Sequence, residues 1–349
     1  MGETIALIGF GEAGQSIGRG LASEPGAAVS AYDVRFCGAD AAALMAKARE
    51  AGVALHIELG RALDGASIVL SAVVGSAAVD AGRAAAAHLT AGQTYIDLNS
   101  VSPATKRAVE RAVAPSGAHF IEAAVMARVS PHAHRVPILL AGADAEAIAA
   151  RLNAIGMRTE AVGDRVGQAS ANKMLRSILI KGIEALLIEC LVAARRCGIE
   201  ERILDSVGET FPGVDWRQAA TYNFGRTAIH GARRVTEMQE VADTLRELEP
   251  FLAEAIGKRI GWAFERLRDV KWPSGEPESY QEILNLIERH TRFPSPLVGE
   301  GGELRAQASD EPGEGLLVTD PSPAQRTSSA RHPLPQQGER GKRASSDSQ

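Results

Sequence analysis

The sequence predicts an α/β fold: a parallel sheet with helices on both faces, followed by an all-helical region and a disordered tail. Short β-rich runs alternate with helical patterns over residues 4–164, and no strand pattern occurs from about residue 166 to 292. The composition then changes sharply near residue 294. Strands separated by helices favour right-handed βαβ units. We therefore divide the chain into residues 1–164, 165–293 and 294–349.

Length and composition exclude several classes of function. The chain has 349 residues, a net charge of -5 and a mean hydropathy of -0.07. No segment approaches the ~20 apolar residues that span a bilayer, and the mild acidity argues against a nucleic-acid partner. The three cysteines are too few for a disulfide framework or a zinc site. We expect Cys37, Cys190 and Cys197 to be reduced packing residues of a cytoplasmic protein, and we expect no metal.

A glycine-rich turn follows the first apolar strand, Ile5–Ile8, and opens a helix. In a GxGxxG turn the first glycine permits the tight turn, the second lets a pyrophosphate approach the backbone, and the third lets helix and strand pack closely. The helix N-terminus adds N–H donors and a partial positive charge. This pattern predicts a Rossmann-type dinucleotide site. Its residues are Gly9, Phe10, Gly11, Glu12, Ala13 and Gly14.

Asp33 lies at the end of the second predicted strand, where the fingerprint places a carboxylate that accepts hydrogen bonds from the adenosine ribose. Because a carboxylate repels a 2′-phosphate, Asp33 favours NAD. Arg35 could pair with such a phosphate, so NADP stays open. Further along the sheet, Val73, Val74 and Asn99 are assigned to the cofactor as well.

A long buried helix is predicted from Ala169 to Arg196, ending at Cys197–Gly198, because this stretch has no proline and apolar residues on nearly every side. Its few polar positions are therefore informative. They fall on one stripe, at spacings of three or four: Ser170, Lys173, Ser177, Lys181 and Glu184. Lys181 is expected to pair with Glu184, one turn away.

Lys173 has no acidic residue at three or four positions in either direction, and it follows the junction between the two predicted domains. An amine beside the nicotinamide would be desolvated and would face a positive ring, and both effects lower the pKa of an amine. Such an amine suits a general base. The alternative is a lysine that extends into solvent, but the dinucleotide fingerprint favours the catalytic interpretation.

Residues 4–270 resemble the β-hydroxyacid dehydrogenase superfamily, which includes 3-hydroxyisobutyrate and 6-phosphogluconate dehydrogenases. The resemblance rests on the glycine turn, on residues 97–103 (DLNSVSP), on residues 120–127 and on residues 167–173 (GQASANK). In that family the second segment, D-x-S-T-x-x-P, helps to bind cofactor and substrate, and G-x-G-x-x-x-K carries the catalytic lysine. Lys173 occupies the place of that lysine. The resemblance implies hydride transfer between a nicotinamide and a hydroxy or keto acid.

The chain departs from the family pattern around the substrate. Ala169 replaces a glycine, Ser177 replaces a substrate-binding asparagine, and residues 122–128 (EAAVMAR) lack the Ser-Gly-Gly anion cradle. Residues 230–238 (HGARRVTEM) replace a Lys-Asp element. These features resemble the little-characterised branch of phosphogluconate-dehydrogenase-like oxidoreductases.

An arginine could grip an acid group in place of the lost cradle, because a guanidinium forms two parallel hydrogen bonds with a carboxylate. The alternative is that Arg233 and Arg234 pair with Glu237 and Glu240 on a solvated helix face. The predicted substrate residues are Ser100, Met126, Ala127, Arg128, Ser177, Arg233 and Arg234.

The leading interpretation is an NAD(P)-dependent oxidoreductase acting on a small hydroxy or keto acid, with or without decarboxylation, in which Lys173 is the general acid/base. An imine reductase on the same fold is an alternative, although such relatives usually carry an acid or a tyrosine at the lysine position. A non-catalytic dinucleotide sensor is a third hypothesis, based on the altered loop at Met126–Arg128. The apolar helices suggest a homodimer, with neither a nucleic-acid nor a membrane partner.

The tail, residues 294–349, has no aromatic residue and contains seven of the sixteen prolines. Such a segment buries too little apolar surface to offset its ordering entropy, so we expect disorder. Its two loosely similar pieces, SPLVGEGGE and HPLPQQGERG, suggest translated repeat or read-through sequence. A solvated regulatory tail is the alternative.

Overall fold

A computed structural model describes residues 2–38, 41–248, 252–253 and 278–290, without the side chains of residues 232, 233 and 290. The predicted tail, residues 294–349, lies outside these residues.

The described residues form one eight-stranded sheet. Its strands are β1 Thr4–Ile8, β2 Ala28–Tyr32, β3 Ala54–His56, β4 Ile68–Ser71, β5 Thr94–Asp97, β6 His119–Val125, β7 Pro137–Ala141 and β8 Arg158–Gly163. The spatial order is β3-β2-β1-β4-β5-β6-β7-β8. The strand order reverses between β1 and β4, and in such sheets a ligand binds in the crevice outside the carboxyl ends of the strands.

The described helices are α1 Glu12–Ala22, α2 Ala41–Glu50, α3 Leu59–Leu63, α4 Ala78–Ala86, α5 Pro103–Val113, α6 Val129–His132, α7 Ala145–Ala154, α8 Gln168–Cys197, α9 Glu200–Thr210, α10 Trp216–Leu248 and α11 Tyr280–His290. The predicted fold class is confirmed: a mainly parallel α/β domain precedes a helical region. No described helix is long and apolar enough to span a membrane.

The sheet differs from the prediction in two respects. The six β-rich runs of the sequence correspond to β1, β2, β4, β5, β6 and β7. The short strand β3 and the edge strand β8 were not predicted, and β7 runs antiparallel to β6. The expectation of a purely parallel sheet is therefore wrong at this edge. The connection of β6 to β7, residues 126–136, is too short for the crossover of a dozen or more residues that parallel neighbours need.

Alternate residues of β1 enter two different cores. Ile5 and Leu7 pack in a cluster with Ile17 and Leu21 of α1, whereas Ala6 and Ile8 pack in a cluster with Val109 of α5. This is the period of two expected of a strand whose two faces are both covered. The sheet is therefore a rigid central layer that fixes the positions of the loops at its edge.

The long helix α8 has 30 residues and ends at Gly198, whose φ of 66° lies in the left-handed region. The predicted end at Cys197–Gly198 is confirmed. Helix α10 is interrupted at His230, where φ is -121° and ψ is 17°. Its first half contributes Ala220 and Phe224 to a core with Leu191 of α8. Its second half packs against Met174 near the start of α8.

The three cysteines are free, as expected, but all are exposed. The prediction that they are packing residues is wrong.

Candidate dinucleotide and substrate site

The glycine turn after β1 has the geometry that the fingerprint requires. Gly9 has a φ of 96°, and a Cβ placed on it would lie 2.5 Å from the carbonyl oxygen of Ala72. A Cβ placed on Gly14 would lie 2.2 Å from the carbonyl oxygen of Gly9. Both contacts are far too short, so the turn and the packing of α1 on β1 exclude a side chain at either position.

Gly11 is different, because the surrounding protein leaves room for a side chain. The nearest described atom to a Cβ placed there is Nη2 of Arg35, at 3.9 Å. Its φ of -76° is accessible to any residue. Neither the fold nor the backbone conformation therefore requires this glycine. The open space lies directly before the first turn of α1, where a pyrophosphate would meet the free N–H groups.

Asp33 follows β2 and is 7% exposed. It accepts hydrogen bonds from the Phe10 amide (2.7 Å), the Arg35 amide (2.9 Å) and Nε and Nη2 of Arg35 (3.0 and 2.9 Å). Burial opposes its ionisation, but these hydrogen bonds outweigh burial and lower the pKa of the carboxyl. Asp33 therefore links the glycine turn to Arg35, whose side chain remains about half exposed.

The loops after β4 and β5 place the next predicted residues at the same edge of the sheet. Val73 is half-buried and Val74 is exposed. Asn99 is buried, and its amide nitrogen donates to Oγ of Ser71 (3.2 Å) and to the carboxylate of Asp97. Ser100, the next residue, is half-buried.

Lys106 fixes the start of the loop after β5. It is 1% exposed, and its Nζ donates to the carbonyl oxygens of Asp97 (2.7 Å) and Ala123 (3.1 Å). The same nitrogen lies 3.2 Å from Oδ2 of Asp97. A buried lysine is tolerated only when its charge and its donors are satisfied, and here they are. The pair joins β5 to β6 beneath Asn99.

The start of α8 is bound to β6 through Glu122, which is fully buried. Its carboxylate accepts hydrogen bonds from the amides of Gly167 (2.7 Å) and Ala169 (2.8 Å) and from the hydroxyl of Ser170 (2.7 Å). A carboxylate at a helix N-terminus satisfies free donors and complements the helix dipole. Ala169, which replaces a family glycine, is buried in one cluster with Ala124 and Ala141.

Lys173 is the sixth residue of α8 and is half-buried, as is Ser177 one turn later. The helix start lies beside the start of α5, since a Cβ placed on Gly167 would lie 3.3 Å from Cβ of Pro103. The structure therefore brings the lysine helix next to the segment that begins at Asn99. Met126 is half-buried beside Ala124, whereas Ala127 and Arg128 are exposed after β6.

The two predictions about charged pairs in the helical region differ from the structure. Lys181 does not pair directly with Glu184; its Nζ lies 2.7 Å from Oε2 of Glu237. Glu184 instead accepts a hydrogen bond from Thr227 (2.6 Å) and lies 3.0 Å from Nη1 of Arg234. Burial lowers the pKa of Lys181 and raises that of Glu184, while the partner charges act in the opposite direction.

Arg234, predicted to bind substrate, is therefore a buried partner of Glu184, 8% exposed, and not part of a solvated face. The alternative interpretation paired it with Glu237 or Glu240 along one helix, whereas its ion pair with Glu184 joins it to α8. The side chain of Arg233 lies outside the described residues. Glu240 accepts a hydrogen bond from the amide of Ser102.

The sequence interpretation missed three residues that hold the site together: Lys106, Glu122 and Glu240. Glu122 lies in an otherwise apolar strand, and Lys106 shares the apolar face of α5 with Val109 and Val113. That was an available signal, because charged residues are rarely buried without partners. Nothing in the sequence signalled Glu240, because the residue that it contacts, Ser102, lies 138 positions earlier in the chain.

The described residues suit a dinucleotide. A turn that excludes side chains at Gly9 and Gly14 leaves open space at Gly11, a helix N-terminus follows, and a carboxylate stands at the end of β2. These are the parts that hold the pyrophosphate and the adenosine ribose in this fold. Among the described residues no group of His, Cys, Asp or Glu could hold a metal ion.

Two family models match parts of the chain. Residues 4–163 match the family described as the NAD binding domain of 6-phosphogluconate dehydrogenase. Residues 194–263 match a domain of unknown function, DUF1932. The first match contains the glycine turn and Asp33 and identifies residues 4–163 as an NAD-binding domain. NADP remains compatible with it.

The chain is also similar to solved structures. A conserved hypothetical protein from Sinorhizobium meliloti is 47% identical, with 83% of this chain and 97% of that chain covered and a TM-score of 0.68. A conserved protein of unknown function, described as structurally similar to 3-hydroxyacid dehydrogenases, is 33% identical (76% and 97% covered, TM-score 0.62). A Mycobacterium tuberculosis 3-hydroxyisobutyrate dehydrogenase structure with L-serine shares the fold at 16% identity (83% and 100% covered, TM-score 0.61). The chain belongs to the β-hydroxyacid dehydrogenase superfamily.

Proposed function

We propose that the protein is an NAD(P)-dependent oxidoreductase that transfers hydride between the nicotinamide and a small hydroxy or keto acid, with Lys173 as the general acid/base. One observation carries the proposal. The helix that bears Lys173 is fixed by Glu122 to the same sheet that carries the dinucleotide residues, and it starts beside the loop of Asn99 and Ser100.

Each group in this arrangement has a distinct task. The dinucleotide, when bound, accepts or supplies the hydride. In the oxidation direction, the amine of Lys173 takes the proton of the substrate hydroxyl, and in the reduction direction it returns a proton to the carbonyl oxygen. In this proposal Ser100 and Ser177 orient the substrate by hydrogen bonds, and Asn99 contacts the cofactor.

The acid group of the substrate needs a positive partner, because the Ser-Gly-Gly cradle of the family is replaced here. Arg128 is exposed just after β6 and is the better candidate for this positive partner, because Arg234 is already paired with Glu184. A guanidinium at this edge of the sheet would grip a carboxylate through two hydrogen bonds. If the substrate is a β-hydroxy acid with a free carboxylate, oxidation gives a β-keto acid that can lose carbon dioxide to form an enol, and Lys173 returns a proton to that enol.

For the coenzyme we propose a preference for NAD, since Asp33 is ionised and stands where the adenosine ribose would lie. The charge of Asp33 should make NADP bind more weakly than NAD. Because Arg35 neutralises part of that charge, NADP should still bind.

The test is a substrate screen. Purified protein is mixed with NAD or NADP and a panel of small α- and β-hydroxy acids, or with NADH or NADPH and a panel of keto acids and imines. The change in reduced coenzyme is followed by its absorbance, and carbon dioxide is measured for the β-hydroxy acids. Turnover of an acid by the wild type and its loss in Lys173→Met support the proposal. Turnover of imines but of no acid would favour an imine reductase, and coenzyme binding without turnover would favour a sensor.

We also propose that the protein is a homodimer. One side of α8 exposes Leu175, Leu179, Ile183 and Leu186, and no described atom lies within 4 Å of a Cβ placed on Gly182 between them. An exposed apolar stripe with a glycine at its centre suits close packing of a second helix. Sedimentation equilibrium should show a dimer that Leu179→Glu dissociates, whereas the control Ile57→Glu, in the sheet domain, should not.

A further inference from the structure

Glu240 joins the second half of α10 to the loop after β5. Its Oε2 accepts a hydrogen bond from the backbone amide of Ser102 at 2.7 Å, across 138 residues of sequence. Ser102 is 1% exposed, so its amide has no access to bulk water. A buried amide needs an acceptor, and the helical region supplies one.

This hydrogen bond completes the cap of α5, because α5 itself supplies no carboxylate to the amide of its cap residue. Ser102 is the N-cap of α5, and its hydroxyl oxygen accepts a hydrogen bond from the amide of Thr105 (3.3 Å). In a capping box, a glutamate or glutamine three residues after the cap reaches back to the amide of the cap residue. The third position of α5 is Thr105, whose hydroxyl lies 3.0 Å from the Ser102 hydroxyl instead. Glu240 supplies the missing carboxylate from another element.

The loop of residues 98–102 is therefore held at both ends by different parts of the molecule. At its start, the amide of Asn99 donates to Oδ1 of Asp97 (3.1 Å), and Asp97 is bound to Lys106 within the sheet domain. At its end, Ser102 is bound to Glu240 of the helical region. Asn99 and Ser100, between the two, are the residues assigned to cofactor and substrate.

The same half of α10 also contacts the helix of Lys173. Met238 and Val241, on either side of Glu240, pack with Met174, the residue after Lys173. A second link, between Glu247 and Arg107 of α5, lies two turns further along at 2.6 Å and is more exposed. Glu240 thus stands where one helix segment touches both the loop and the lysine helix.

We propose that Glu240 is a positioning residue: by capping α5 from the helical region, it holds the 98–102 loop, and with it the nicotinamide side of the dinucleotide site, in place relative to Lys173. The inference rests on the proposed function. The loop follows β5, in the half of the sheet that takes the nicotinamide end, whereas β1 and β2 take the adenosine end. A disturbed loop should therefore affect the two ends of a dinucleotide differently.

The experiment compares the affinities of the full-length protein for NADH and for ADP-ribose, which lacks the nicotinamide, by calorimetry. In Glu240→Ala we expect NADH affinity to fall by about tenfold, the scale of a lost charge-assisted hydrogen bond, with ADP-ribose affinity unchanged. Glu240→Gln retains an acceptor oxygen and should lie close to the wild type. Glu247→Ala, the matched control on the same helix, should leave both affinities unchanged.

A rescue variant tests the mechanism. Thr105→Glu places a carboxylate at the third position of α5, where a capping box would have it. In the Glu240→Ala background it should restore most of the NADH affinity and the protection of the Ser102 amide against hydrogen exchange. A double variant that binds NADH as weakly as Glu240→Ala would overturn the proposal.

The remaining outcomes are also decisive. Unchanged NADH affinity in Glu240→Ala, or equal losses for NADH and ADP-ribose, would reduce Glu240 to a structural role and overturn the inference while leaving the proposed function intact. A wild type that binds ADP-ribose as tightly as NADH would instead contradict the nicotinamide placement in the proposed function and overturn the inference together with it.

Discussion

The carboxylate of Glu122 lies 2.7 Å from the amide nitrogen of Gly167, and this contact fixes the helix that carries Lys173 to the strand β6. Two more donors, from Ala169 and Ser170, converge on the same carboxylate. The position of the helix that carries the proposed catalytic amine is therefore set by a buried acid on the neighbouring strand.

Glu122→Ala should destabilise the protein strongly, because it leaves the amides of Gly167 and Ala169 buried without their acceptor. We expect the free energy of unfolding in urea to fall by about 3 kcal/mol or more, since each unsatisfied buried donor costs about 1–3 kcal/mol. Glu122→Gln should lose less, as one acceptor oxygen remains. Glu160→Ala, an exposed glutamate on β8, is the control and should change little. A loss of less than about 1 kcal/mol in Glu122→Ala would contradict this account.

Lys173→Met removes the proton carrier and keeps the apolar stem of the side chain. Folding and NADH binding should survive, while turnover of the substrate found in the screen should fall by roughly 10²–10⁴, the usual contribution of a positioned general acid/base. Lys173→Arg should be nearly as impaired, because a guanidinium does not release its proton near neutral pH. Lys47→Met, at an exposed lysine of α2, is the control. Turnover above about a tenth of the wild type in Lys173→Met would exclude Lys173 as the acid/base.

Asp33→Ala should weaken NADH binding by about tenfold, the value of a charge-assisted hydrogen bond. NADPH should lose less or gain affinity, because the change removes a like charge and releases Arg35 toward a 2′-phosphate. In Arg35→Ala the order should reverse, with NADPH weakened more than NADH. Titration of all three proteins with both coenzymes by fluorescence checks this. Equal effects of Asp33→Ala on the two coenzymes would show that Asp33 does not contact the ribose.

Glu3 predicts a pH-dependent contribution to stability. Its carboxylate pairs with Nε and Nη2 of Arg151, both at 2.9 Å, and chiefly this hydrogen bonding lowers the pKa of Glu3 below its usual value of 4.5. The unfolded chain therefore binds the proton more readily, so the stabilisation is present above about pH 4.5 and is lost as the pH falls through the lowered folded-state pKa.

The variant Glu3→Gln should thus lose about 1 kcal/mol of unfolding free energy at pH 7, a modest value because Arg151 is partly exposed. The difference between wild type and variant should shrink in acid. Urea denaturation at several pH values measures it. A difference that stays constant from neutral pH down to about pH 3 would show that the ion pair is not its source.

The sequence was sufficient for the fold class and for the outline of the dinucleotide site, because these depend on local patterns. Gly9, Gly14 and Asp33 lie at fixed spacings around one strand-turn-helix unit, and the end of α8 is marked by Gly198. The strand β3 was missed because it has only three residues, and β7 was assigned to a parallel sheet because strand direction depends on the length of the connection.

The charged pairs were harder to predict, for a physical reason. Spacing along one helix suggested Lys181 with Glu184, and Arg234 with Glu237 or Glu240. In the packed molecule, α8 and α10 face each other, and each residue pairs across the interface with a partner from the other helix. Burial makes such pairs costly to leave unsatisfied, so tertiary contacts override local spacing. The hydrogen bond between the Ser102 amide and Glu240 is likewise a tertiary contact that local spacing does not reveal.

The open space at Gly11 distinguishes a glycine required for dinucleotide binding from glycines, such as Gly9 and Gly14, that are required for folding. A variant library scored only for folded protein would reject larger residues at Gly9 and Gly14 and accept them at Gly11, because no described atom lies closer than 3.9 Å to a Cβ there. A library scored for dinucleotide binding would reject them at all three positions. The difference between the two scores, position by position, would trace the path of the pyrophosphate along the protein surface without any bound ligand in view.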